Sequence, residues 1–285
     1  WKGDGSFTRS GIYTMVFIPE FYVAAKRNGV KQYFYISDQP ATGFTKHPGS
    51  GKYVGRYHTS SDNYSMTDQL PRVSLSRTTM SIYAKKIGSK FHLYDFATYC
   101  AIIWLYIVEF ADWDSQAKIG RGYVDGNSSA INSGGTDSMT YHTGRAAGTD
   151  GKTAVQYRGI ENLWGNVFQW VDGFNINDTT AYYCTDPSKY AESSLTSYTI
   201  IGTLPGEGYI KDLTVTDNGL LIPQTSGGSE TTYIPDYSYS ASGSRVLCVG
   251  GHWNHASRAG LLFFDASVGV ANASHDNSAR LMCEA

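Results

Sequence analysis

Long apolar runs are missing from this 285-residue chain. A bilayer-crossing helix needs roughly 20 consecutive apolar residues. The best stretch, Cys100 to Phe110, is shorter and carries Glu109, so no membrane insertion is expected. Charge of one sign is missing too: 23 basic residues stand against 25 acidic ones, a net charge of -2, without long single-sign blocks. Lys85-Lys86 reads as an isolated, solvated pair, and so even a balance offers no footprint for nucleic acid or an anionic membrane. The four cysteines, Cys100, Cys184, Cys248 and Cys283, lack CxxC spacing. That argues against a zinc site or a thioredoxin-like pair. Structural thiols are the simpler reading, and whether Cys248 and Cys283 pair stays open. No GxSxG elbow, phosphate loop or HExxH is present. An initiator methionine is also missing, and Trp1 implies a start at a processing site or inside a longer chain.

What the chain does have is glycine and tyrosine, 31 and 22 residues, in short segments broken by Gly, Ser, Asn and Asp. That pattern predicts a strand-rich, loop-heavy protein, and 41% apolar residues suffice for a sizeable core. Met15-Val16-Phe17-Ile18-Pro19 with Phe21-Tyr22-Val23 reads as an opening strand, Pro19 sitting at an edge or bulge. Tyr33 to Ile36 and Tyr53 to Tyr57 are further strand candidates. Met80, Tyr83, Ala84 and Ile87 recur at helical steps between Arg77 and Ile87, with Gly88 as the stop. Phe96, Cys100, Ile103, Ile107 and Phe110 do the same from Tyr94 to about Ala111. The Gly- and Ser-rich span Val124 to Thr153 reads as a long surface loop, and Asp178 to Ser244 as a second large insertion. Arg245 to Met282 reads as strand, loop and strand.

The run Asn162-Leu163-Trp164-Gly165-Asn166-Val167-Phe168-Gln169-Trp170 resembles the Asn-Val-Trp-Glu-Trp signature of the formylglycine-generating-enzyme branch of the C-type-lectin fold. Phe168 and Trp170, two apart, share a strand face and anchor a core, while Asn166 satisfies nearby backbone. Gly250-Gly251-His252-Trp253 and Ala279-Arg280-Leu281-Met282 resemble the family's later strands. The resemblance implies an α+β fold with two helices, mostly antiparallel short strands and large loop insertions, in one elaborated domain spanning 1–285. The enzymes of this branch hold copper on a close cysteine pair. Cys248 and Cys283 are 35 positions apart, so no cofactor is expected. His252, His255 and His275 lack the fixed spacing of a metal site.

Within that fold the chain resembles more strongly the variable proteins of diversity-generating retroelements, particularly those on phage tails. Their C-terminal segment, here 245–282, carries exchangeable residues between fixed ones. Mutagenic reverse transcription replaces template adenines, and an Asn codon altered that way never becomes Lys, Glu, Gln, Met or Trp. At average usage Ser244 to Leu281 would hold about four Lys, Glu, Gln or Met; it holds none, and its one tryptophan is Trp253.

The layout implies a ligand-binding set of His252, Asn254, His255, Ser257, Arg258, Phe263, Asp265, Ser267, Val268, Asn272, Ser274, His275 and Asp276. It implies a scaffold of Phe168, Trp170, Gly250, Gly251, Trp253, Ala279 and Arg280. The plain alternative is an ordinary polar loop closing over Phe263 and Phe264. The resemblance further implies a non-enzymatic receptor-binding protein of a phage tail tip, hence of the virion. Its partners would be a host-cell receptor, protein or glycan, and other tail proteins through an N-terminal segment beyond Trp1. A homotrimer is the assembly favoured by likeness to phage fibre tips. A bacterial surface adhesin of the same family, or an oxidoreductase or hydrolase on this fold, are the alternatives. If the resemblance holds, sequencing the flanking DNA should reveal a near-copy of the stretch encoding Arg245 to Met282, differing mainly at adenines, beside a reverse transcriptase gene. Flanks lacking both would remove the diversification reading.

Overall fold

The computed structural model describes residues 12–148 and 150–285, so Trp1 lies outside the described residues. Helix α1, Arg77–Ile87, starts where the Ser76 side chain accepts a hydrogen bond from Thr79 N, and it buries Arg77, Met80, Ser81 and Ala84. Helix α2, Phe96–Phe110, starts where Asp95 Oδ1 accepts from Thr98 N at 2.7 Å. It ends at Ala111, whose left-handed backbone returns an N–H to Ile107 O. The period marks one apolar face, but the structure buries α2 almost all round, including Ala97, Ile102, Trp104 and Tyr106. A helix apolar on every side belongs inside, and the large sheet and the strand Lys31–Ser37 cover it.

Most of the chain is strand. One four-stranded sheet runs in the order Met15–Ile18, Lys52–Gly55, Leu281–Glu284, Phe91–Leu93, so the C-terminal strand sits between two early ones. The opening segment differs from expectation. The first strand stops at Ile18, and after Pro19 the chain enters a separate three-stranded sheet through Tyr22–Asn28. Proline donates no ladder hydrogen bond, which makes it a natural boundary between two sheets.

The large sheet is built around Phe168–Asn177, paired antiparallel with Ser244–Val249 on one side and Thr180–Tyr183 on the other. The segment 178–244, read as an insertion, is not loop but sheet. Thr180–Tyr183, Thr199–Thr203, Gly208–Val215, Leu221–Ser226 and Tyr237–Ser240 all join this layer. The terminal segment contributes Ser244–Val249, Phe264–Gly269 and the two-residue Asn277–Ser278 before the last strand. Among the described residues Val124 to Thr153 does stay irregular, apart from Gly144–Arg145 and an isolated bridge of Lys152 to Tyr123. It is held down by Glu161, whose carboxylate accepts from Gly134 N and from Thr136 N, each at 2.8 Å.

Phe168–Asn177 is buried on both faces, all but its last residue. Side chains alternate across a strand, and here they enter two different cores. Phe168 and Trp170 join Met80, Leu93, Cys248 and Phe263, whereas Val171 and Phe174 join the larger cluster with α2. Trp170 is wholly buried and donates its indole N–H to Leu75 O at 3.0 Å. Trp170→Ala should cost about 3–5 kcal/mol, because it opens a cavity where two elements meet. Denaturant titration of the variant is the measurement, and a thermally neutral substitution would contradict this packing.

Candidate functional site

The terminal segment is tied at both ends to one turn, Glu161 to Asn166. At its start, Gly165 N donates to Gly250 O and Trp253 N donates to Asn166 O, both at 3.1 Å. Gly250 and Gly251 have φ of +88° and +73°. A Cβ on Gly250 would stand 2.6 Å from Leu163 O, and one on Gly251 2.9 Å from the Ala259 side chain. Glycine is therefore required twice here. At its end, Arg280 is fully buried and spends every donor: Nε on Gln169 Oε1, Nη1 on Gly55 O and Arg56 O, Nη2 on Glu161 O and Asn162 O, all within 2.7–3.1 Å. Burial pushes its pKa down to about 10, which still leaves it charged at neutral pH. Asn166 holds the neighbouring loop through both amide atoms on the Ile131 backbone.

Between those ties the segment makes a loop whose backbone is pinned by framework groups. Ala256 N donates to Val124 O, and Gln116 Nε2 donates to Ala256 O and Ala259 O. Leu261 N donates to Ser115 Oγ, and Leu262 N to Asp236 Oδ2. None of these bonds uses a side chain of the loop itself. Framework groups therefore set most of the loop's shape; the loop's own side chains add two bonds, His252 Nδ1 accepting from Asn254 N at 3.2 Å and His255 Nδ1 from His252 N at 3.4 Å.

Those side chains mostly face outward. Asn254, Arg258, Asn272 and His275 are exposed, while His252, His255, Ser257, Ser267, Val268, Ser274 and Asp276 are half-buried. Two members of the expected ligand-binding set are not displayed. Phe263 is 0% exposed, packed against Phe168 and His255, and Asp265 is 8% exposed, accepting hydrogen bonds from Ser267 N and Oγ. Both faces of this part of the sheet are covered, so Phe263 fills one core while Phe264 fills the other. His252 gathers the rest: its ring lies 4.2 Å from His255 and 5.0 Å from Trp253, and its Nε2 is 3.5 Å from Asp276 Oδ2. Trp253, buried below, contacts His275 at 5.6 Å. Ser257 donates to Glu230 Oε2. Ser267, Val268 and Asn272 stand apart on Phe264–Gly269 and the turn after it, with local hydrogen bonds.

Sequence reasoning missed Tyr209, Tyr237 and Tyr239, which continue the ring contacts away from His255 and Phe263. The alternation Tyr237-Ser238-Tyr239-Ser240 was the available signal, since residues two apart share a strand face. Nothing along the chain indicated that this face would neighbour the terminal loop.

The remaining chemistry is structural. All four cysteines are free thiols; burial pushes Cys100, Cys248 and Cys283 upward, away from the thiolate. Cys248 and Cys283 sit in different sheets. His92, Asp95 and Glu284 offer ligand atoms within 4.8 Å of one another. However, the Lys52 ammonium already lies 3.0 Å from Asp95 and 3.1 Å from Glu284. Burial works against the Lys52 charge, but the two carboxylates outweigh it and raise its pKa. The position a cation would take is thus filled.

No family model and no curated protein matches the sequence. Among solved structures the chain is similar to the Major Tropism Determinant U1 Variant, with a TM-score of 0.38 and 9% identity, covering 94% of this chain and 73% of that one. A likeness at that level says nothing about function.

Burial, then His252 and Arg258, push the His255 pKa down to about 3. An unfolded histidine titrates near 6.5, so as pH falls the unfolded chain takes up the proton first. The stability linked to neutral His255 is complete above about pH 6.5 and is lost towards pH 3. Buried His47, at about 4, acts in the same direction. The melting temperature should fall between pH 7 and pH 4, and His255→Phe should recover part of the loss. An equal loss in wild type and variant would show that His255 carries no proton-linked stability.

Proposed function

We propose that the chain is a non-enzymatic receptor-binding protein of the C-type-lectin fold, one elaborated domain whose segment 245–282 is diversified by a retroelement. In this reading it belongs to a phage tail tip, joins other particle proteins there as a homotrimer, and attaches the virion to a host-cell receptor. The observation that carries the proposal is the loop 250–262. Its backbone is held by Val124, Gln116, Ser115 and Asp236, while most of its expected variable side chains reach solvent. A protein whose contact residues are exchanged wholesale needs that separation of shape from contact. The mixture on display, His, Asn, Arg, Ser and Asp, supplies adaptable hydrogen bonds with one strong anchor. A bacterial surface adhesin would use the same surface, and genome neighbours distinguish the two.

Asn254, Arg258 and His275 are exposed, and exposed positions usually shift stability by within about 0.5 kcal/mol; His252, His255, Ser274 and Asp276 are half-buried on a segment whose backbone is held mainly by framework groups. Exchanging His252, Asn254, His255, Arg258, Ser274, His275 and Asp276 for other residues reachable from Asn should therefore keep the melting temperature within a few degrees. The same exchange should abolish or redirect binding to host cells. Phe263→Ala should instead cost about 3–5 kcal/mol. Calorimetry and cell binding on the same preparations check both. An exchanged variant that unfolds, or that binds the original cells unchanged, would remove the proposal.

A further inference from the structure

Half-exposed rings form a continuous row that extends well beyond the terminal segment. Tyr209 on Gly208–Val215 pairs in register with Tyr237 on Tyr237–Ser240, their centroids 5.0 Å apart. Tyr237 and Tyr239 share a face at 4.6 Å. Tyr239 meets His255 at 6.3 Å, and His255 meets His252 at 4.2 Å. Phe168 and Phe263 form a buried floor under the histidine half. The phenol tips are held: Tyr237 OH donates to Glu207 Oε1 at 3.1 Å, and Arg258 Nη1 donates to Tyr239 OH at 2.9 Å. The same guanidinium lies 5.4 Å from the Tyr237 ring centroid. The rings are therefore oriented before anything binds, which lowers the entropy cost of binding.

We propose that this row, whose neighbouring rings stand mostly edge to face, is an aromatic cradle for a linear, uncharged polysaccharide of the host-cell surface. The proposal rests on the receptor-binding reading and names its ligand class. A pyranose presents a flat face of C–H bonds and an edge of hydroxyls. The C–H face suits the negative face of an aromatic ring, while Glu207, Arg258, Asn254 and Ser257 beside the row suit the hydroxyls. Charge excludes a polyanion. Among the described contacts of the row, Arg258 is the cation, whereas Glu207, Glu230 and Asp276 border the row as carboxylates. A nucleic acid stacking on such rings would need lysines and arginines for its phosphates. Shape favours a polymer over a protein epitope, because hot spots on protein interfaces cluster at a centre and this array is drawn out across three chain segments.

The two halves divide the work. Tyr209, Tyr237 and Tyr239 precede the diversified segment and stay constant, so they grip the repeating chain that many glycans share. The exchangeable half reads what decorates it.

The experiment measures binding of the wild type to a panel of bacterial cells, untreated, oxidised with periodate to cleave vicinal diols, or stripped with proteinase K. It adds a Tyr237→Ala/Tyr239→Ala pair, a Tyr237→Phe/Tyr239→Phe pair and the seven-position variant described above. Periodate should abolish binding and proteinase K should leave it. The alanine pair should weaken it about tenfold or more, and the phenylalanine pair should keep most of it. Binding that survives periodate but not proteinase K identifies a protein receptor and overturns the proposal. So does an alanine pair that binds like the wild type. In either case loss of binding by the seven-position variant leaves the receptor-binding reading standing. If the alanine pair proves unstable, the periodate and proteinase arms on the wild type decide alone. A wild type that binds no cell in the panel overturns both.

Discussion

Everything in the terminal third depends on where the Arg280 guanidinium goes. It has five N–H donors in a fixed plane and, among the described residues, no carboxylate bonded to it. Four backbone carbonyls and one amide oxygen satisfy it instead, drawn from the strand Lys52–Gly55 and its end, the turn at Glu161, and the central strand. Lysine, with three donors on a single atom, cannot serve that set. A buried cation lacking any one of those acceptors would be strongly destabilising. The charge thus forces three separate segments to arrive together, and with them the four-stranded sheet and the large one.

The turn from Glu161 to Asn166 receives the other end of the same segment. Gly165 and Asn166 bind the start of the loop at Gly250 and Trp253, while Glu161 and Asn162 receive Arg280. Gln169 reinforces the junction from below, accepting from Arg280 and donating to Leu163 O. Both ends of a stretch of some thirty residues are therefore fixed to one short piece of chain. Between them the loop borrows its backbone partners from Val124, Gln116, Ser115 and Asp236. Apart from His252 and His255, whose Nδ1 atoms accept from loop N–H groups, side chains there are released from shaping the loop, and that physical condition makes a surface exchangeable.

The same construction explains why two residues expected at the surface are inside. Alternation along Phe263-Phe264-Asp265-Ala266 sorts side chains by face, and an outward face is normally wet. In this sheet the second face is covered as well, by Met80 of α1 and by Leu93, which cluster with the sheet's own Phe168 and Trp170. Phe263 and Asp265 therefore enter a core. Asp265 lies opposite Cys248, its carboxylate satisfied by Ser267.

The sequence by itself determined the local structure and the anchors. The helical periods place α1 and α2, and the spacing of Phe168 and Trp170 puts both rings on one face. Those are properties of neighbours along the chain, and the 3.6- and 2-residue periods read them directly. Tertiary structure alone decided what lies across from each face. It buried α2 almost all round, turned 178–244 from insertion into sheet, and took Phe263 and Asp265 out of the surface. It also brought Tyr209, Tyr237 and Tyr239 beside a loop that follows them in the chain. Periodicity states which way a side chain points, whereas the pairing of strands distant in sequence settles what it meets there.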